Sequence, residues 1–189
     1  RVVNVAGDLK LGNFTLSFTD LSIPISGIPI TLSRTYDSLT AGQIDDFGYG
    51  WRFEMRDTDL RTTVAKTGDE ENLIYNGYRS GDRVYVTLPG GKREGFTFAP
   101  RPAPKYRGSF LGIFEAHFTP DPGVTNTLTV ESFDLGVTVD GEMISYGDGI
   151  PYNPASSAFG GTFYLTTQDG VAYEIDGDSG DLRCLSDTN

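Results

Sequence analysis

The chain reads as an all-β protein of many short, mostly antiparallel strands and hairpins. Three observations predict this. Apolar and polar residues alternate over strand-length stretches, and no window sustains a helical period. Turn formers punctuate those stretches, with 24 Gly and 10 Pro in 189 residues. Aromatics reach 12%, including 10 Tyr and 12 Phe beside abundant Thr, a mixture that suits a pleated, half-buried surface.

Arg1 to Leu11, with Val2, Val3 and Val5, is expected to form a short leading strand. The strongest local signal follows in Ile23-Pro24-Ile25-Ser26-Gly27-Ile28-Pro29-Ile30. Two apolar arms flank a Ser-Gly pair, which marks a hairpin with a two-residue loop. Closing it on Ser26-Gly27 sets Ile23 against Ile30 and Leu21 against Leu32 on one face. Pro24 and Pro29 then face each other where N–H groups would point outward, so the ladder loses no donor. Below the hairpin the phase changes, because Phe14, Leu16 and Phe18 alternate out of step with Leu21 and Ile23. A one-residue bulge near Asp20-Leu21 restores a single apolar face. The expected pairs are then Phe18 with Tyr36 and Asp20 with Arg34. Arg34 shares its phase with Leu32 and Tyr36, so it points inward and needs a partner, Asp20 first. The plainer alternative is a side chain that reaches water from the strand's end.

Leu39 to Asp46 is a polar loop, and Trp51, Phe53 and Met55 define a strand with one buried face. Further strands are expected at Leu60 to Val64, Leu73 to Tyr75, Val84 to Leu88 and Gly95 to Phe98, with Arg61 and Lys66 facing out. Pro89 to Lys92 is a turn, and the prolines between Ala99 and Pro104 interrupt the sheet. Phe110 to Phe118 returns to it or, over Ile113 to Ala116, is irregular. Thr127 to Ser132, Gly136 to Val139 and Met143 to Tyr146 are short strands, and Gly147 to Gly161 is a long loop. Phe163 to Thr166 and Val171 to Ile175 form a hairpin across Asp169-Gly170, with Thr166 against Tyr173 and Tyr164 against Ile175. The last strand runs from Leu182 to Leu185.

Asp20 to Pro24, Ile28 to Ser38 and Phe47-Gly48-Tyr49-Gly50-Trp51 together resemble the opening of Rhs (YD-repeat) proteins. Asp169-Gly170-Val171-Ala172-Tyr173-Glu174-Ile175-Asp176, Gly180-Asp181-Leu182 and Ser186 to Asn189 resemble the lead-in to their repeats. The likeness covers residues 1–66 and 160–189 and hardly touches the divergent strands and loops of 67–159. It implies one β-rich domain excised from a longer chain, related to the β-shell of that family. The resemblance gives structural roles to Asp20, Pro24, Gly27, Pro29, Arg34, Tyr36, Gly48, Gly50, Trp51 and Tyr173. It also implies a secreted or cell-surface protein of polymorphic-toxin type. This segment would start or cap a shell that encloses a C-terminal effector. Its partners would be the downstream YD repeats and the enclosed segment, with no catalysis of its own.

The formal charge of −11 argues against binding nucleic acid and against a polybasic membrane anchor. No apolar run is long enough for a membrane-spanning helix. The single Cys184 excludes an internal disulfide and reads as a small buried hydrophobe. His117, the only histidine, lies between Ala116 and Phe118 with no Gly-x-Ser-x-Gly elbow in the chain, so a strand histidine near a turn is expected. Among 26 acidic residues no pair stands out for carboxylate catalysis. No cofactor is expected apart from calcium, because Asp176, Asp178 and Asp181 offer oxygen ligands at near-alternate positions. Against that, the bidentate Glu of an EF-hand is missing, and Asp/Gly/Ser runs are ordinary turns. The alternatives to a structural role are an adhesin-like or carbohydrate-binding β-module and an acidic hydrolase.

Overall fold

A computed structural model describes residues 14–23, 30–53, 58–89, 92–106 and 112–187. The leading strand, the hairpin tip with Pro24, Gly27 and Pro29, Met55 and the Gly90-Gly91 turn lie outside the described residues. The protein is all-β: strands alternate with short 3-10 turns in both of the compact units into which the chain divides.

The first unit comprises residues 14–23 and 30–53. Its strands are β1 (Thr15–Ile23), β2 (Ile30–Asp37), β3 (Ile44–Asp45), β4 (Gly48–Tyr49) and β5 (Trp51–Phe53). β1, β2 and β5 form an antiparallel sheet in that order. Ile23 faces Ile30 and Leu21 faces Leu32, as the hairpin pattern predicts. The bulge also falls where the phase changes, between Thr19 and Leu21. It differs in which strand carries the extra residue. Asp20 is the extra residue on β1, so Phe18 pairs with Arg34 and Leu16 with Tyr36, and the expected pairs Phe18–Tyr36 and Asp20–Arg34 do not form across the ladder. An extra residue on either strand reunites the apolar face, so alternation alone does not choose between them. The opposite face is polar: the Ser17 and Thr35 hydroxyls lie 2.7 Å apart.

The second unit spans residues 58–187. One of its sheets contains β6 (Asp59–Thr62), β7 (Arg83–Thr87), β8 (Arg93–Phe98) and β11 (Phe118–Pro120), in the order β11-β8-β7-β6. Another runs β14-β13-β10-β9, from Met143–Ser145, Leu135–Val137, Phe114–Glu115 and Arg101–Pro102 respectively. The last contains β12 (Thr127–Val130), β15 (Thr162–Thr166), β16 (Val171–Asp176) and β17 (Leu182–Asp187), in the order β12-β15-β16-β17. Their apolar faces share one core that includes Val84, Val86, Phe96, Phe98, Phe163 and Leu165, each fully buried. Burial of such side chains contributes about 1.5–3 kcal/mol apiece. The long loop 147–161 belongs to this core as well. Tyr152 and Phe159 are buried there with ring centroids 4.9 Å apart, and Tyr152 lies 6.1 Å from Phe98.

Three expectations are corrected in this unit. Leu73 to Tyr75 is not a strand: a 3-10 turn at Glu70–Asn72 ends at Leu73 with φ +62°. Local polar groups capture that backbone, since Thr67 N donates to Glu70 Oε1 and Thr67 Oγ1 donates to the Ile74 carbonyl. The β15–β16 hairpin sits one residue out of the expected register, with Thr166 opposite Ala172, Leu165 opposite Tyr173 and Tyr164 opposite Glu174. The loop has three residues, because Thr167 N donates to the Val171 carbonyl and Gly170 adopts φ +85°. Finally, Cys184 is exposed. A bulge places it opposite Glu174 on the outer face, while Leu182 and Leu185 turn half inward.

Candidate functional site

In the first unit the motif residues converge on one face of the three-stranded sheet. β2 supplies Arg34 and Tyr36, β5 supplies Trp51 opposite Tyr36, and β1 supplies Phe18 opposite Arg34. The bulge swings Asp20 toward Arg34, and Nε of Arg34 lies 3.0 Å from Asp20 Oδ2. The guanidinium carbon sits 5.4 Å from the Trp51 ring centre and 5.7 Å from that of Phe18. Cation–π attraction at such a site is worth about 0.5–1 kcal/mol. Tyr36 and Trp51 are 5.4 Å apart, and Phe18 and Trp51 are 6.0 Å apart.

Gly50 closes this cluster. Its φ is +70°, and an added Cβ would lie 2.9 Å from Cε2 of Tyr36. Its N–H donates to the Gln43 carbonyl and its own carbonyl accepts from Asp37 N. Gly48 starts the same bend at φ +104°. The Gly-Tyr-Gly-Trp run thus folds back so that Trp51 can pair with Tyr36. The arrangement is a cation–aromatic stack of Phe18, Arg34, Tyr36 and Trp51 with Asp20 beside it.

In the second unit, Tyr173 is half-buried on β16 between Leu165 and Leu185. In the acidic turn after it, Asp176 and Asp178 are engaged by groups of the chain itself. Asp176 Oδ1 accepts from the N–H groups of Asp178 and Ser179, and its Oδ2 accepts from Nε (3.0 Å) and Nη2 (2.5 Å) of Arg183. Asp178 Oδ1 accepts from Lys66 Nζ at 3.0 Å. Asp181 N donates to Ser179 Oγ, and the Asp181 side chain is exposed. Among the described residues no three His, Cys, Asp or Glu side chains are grouped to hold a metal ion. Burial pushes the Asp176 carboxyl up. The Ser179 and Asp178 N–H groups and Arg183 outweigh it, leaving its pKa below the usual carboxylate range. The hydrogen bond to Asp178 raises the Lys66 ammonium above its ordinary value. Lys66 and Asp178 line a narrow cleft with Val64, Tyr75 and Asn153.

His117 is half-buried beside a groove it shares with Arg101, Glu115 and Glu131. There Arg101 Nε donates to Glu115 Oε1 at 2.7 Å. Sequence reasoning missed Glu94, which is fully buried on the core face of β8, with Oε2 accepting from Asn126 Nδ2 at 2.8 Å and Lys92 Nζ 2.7 Å from Oε1. The signal was present: Glu94 alternates in phase with Phe96 and Phe98. It missed Arg93 and Tyr85 as well, whose ring contact joins neighbouring strands and follows no local pattern.

A family model described as a domain of unknown function (DUF6531) matches residues 8–75. The match includes every residue of the cation–aromatic stack. No curated protein and no solved structure matches the chain.

Proposed function

We propose that the chain is a non-catalytic structural segment of a secreted or cell-surface YD-repeat protein, one that starts or caps a β-sheet shell around a C-terminal effector. The observation that carries this reading is the position of β17 as the outer strand of its sheet among the described residues, bonded to β16 on one side. An open edge of unpaired N–H and C=O groups is a template for a further strand. The motif cluster supports the same reading, because its residues pack against one another across three strands.

Hydrogen exchange tests it. In the 189-residue chain alone, amides of 182–186 that point away from β16 are expected to exchange fast. Appending tandem Tyr-Asp repeats after Asn189 is expected to slow that exchange and raise the melting temperature. Equal protection with and without the repeats would remove the physical basis of the shell reading.

A further inference from the structure

The outer face of β6–β7–β8 groups Arg61, Arg83 and Arg93 around Tyr85 on a strongly acidic protein. Tyr85 lies in the middle strand, directly opposite Arg61 on β6 and Gly95 on β8. The Arg93 guanidinium stacks over its ring at 4.4 Å, and that of Arg83 lies 5.3 Å from the ring centre. Arg83 is tied to Asp121 and Arg61 to Asp59. Among the described residues, every Lys and Arg except Arg93 has a carboxylate partner. Arg93 is thus held by Tyr85 with its N–H fork unanswered. In a chain with 26 acidic residues and 15 Lys and Arg, that is the exception.

The fork opens on a shallow depression of about 450 Å³ lined by Tyr85, Arg93, Gly95 and Asp121. Gly95 keeps the depression in shape. A Cβ there would collide with the Asp121 carboxylate and come within 2.8 Å of Arg83 Nη2.

We propose that this depression binds an acidic sugar, with the carboxylate of a hexuronate on Arg93 and its hydroxyls donating to Asp121. The planar guanidinium fork matches a carboxylate. Asp121 Oδ2 is taken by Arg83, and its Oδ1 accepts from no donor among the described residues, so it suits a hydroxyl. The same carboxylate repels a second acidic group placed beside it, which disfavours a run of aspartates or a phosphate dianion. The net charge of −11 adds to that repulsion for any polyanion. A single carboxylate flanked by hydroxyls satisfies both Arg93 and Asp121. This inference does not depend on the shell reading.

The test is a titration of the isotope-labelled 189-residue chain, followed by amide shifts at fixed ionic strength. The probes are sodium glucuronate, sodium galacturonate, glucose, acetate, inorganic phosphate and a short poly-aspartate peptide. At least one uronate is expected to give saturable shifts confined to β7, β8 and residues 119–121, with a Kd at least about tenfold below those of glucose and acetate. Arg93→Gln, an exposed position, is expected to abolish those shifts and leave the rest of the spectrum in place. The proposal is overturned by no saturable uronate binding, by acetate, phosphate or poly-aspartate binding as tightly as the uronates, or by unchanged binding in Arg93→Gln.

Discussion

At Arg34 the guanidinium meets Asp20 on one side and the rings of Phe18 and Trp51 on the other. The Arg34 and Asp20 side chains keep 43% and 36% of their surface exposed, so water screens the pair. An inward-pointing arginine suggested a shielded pair coupled by about 1 kcal/mol or more. The exposure lowers the expected coupling to about 0.5 kcal/mol in a double-mutant cycle of Asp20→Asn and Arg34→Met. Arg34→Met alone is expected to cost more than Asp20→Asn, because it also removes the cation from both rings. A coupling above about 2 kcal/mol would mean that the pair is buried in solution.

The Asp176 carboxylate anchors the turn joining β16 to β17. Asp176 accepts two backbone N–H groups and binds Arg183, which in turn donates from Nη1 to Thr162 Oγ1 on β15. Asp176→Asn keeps an acceptor for the backbone but loses the ion pair. A loss of about 1 kcal/mol is expected at pH 7, below the full worth of a charged hydrogen bond because the site is partly wet. The folded-state pKa of Asp176 is lowered, so its stabilisation is present above the unfolded value near 4 and is lost as pH falls through the folded value. Urea unfolding should therefore separate wild type from Asp176→Asn at pH 7, and the gap should close toward pH 2. A gap independent of pH would show that the carboxylate's charge has no part in holding the turn.

The two units differ in what each buries. The shared apolar core lies wholly within residues 60–175, whereas Phe14, Leu16, Phe18 and Leu21 of the first unit are 39–57% exposed. A unit of about 40 residues whose apolar face stays exposed buries too little surface to fold alone, while the second unit has a proper core. Residues 58–189 expressed alone are expected to melt cooperatively with dispersed amide resonances. A peptide of residues 14–53 is expected to show no cooperative transition. Cooperative melting of the peptide, or a molten 58–189 fragment, would contradict this division of stability.

Alternation along the chain by itself determined the all-β class, most strand positions, the Leu21–Leu32 pairing and the site of the bulge at Asp20. These are local properties, because a strand's period and its turn residues are written within a few neighbours. Tertiary structure decided that the bulge's extra residue is Asp20, that the Val171 hairpin closes on three residues, and that Cys184 faces out. It also decided the fate of the acidic turn. Asp178 meets Lys66 across 112 residues of sequence, and Arg93 is left without an acid among the described residues although acids outnumber bases in the sequence. Charge partners and register depend on which distant strands become neighbours, and no local pattern carries that information.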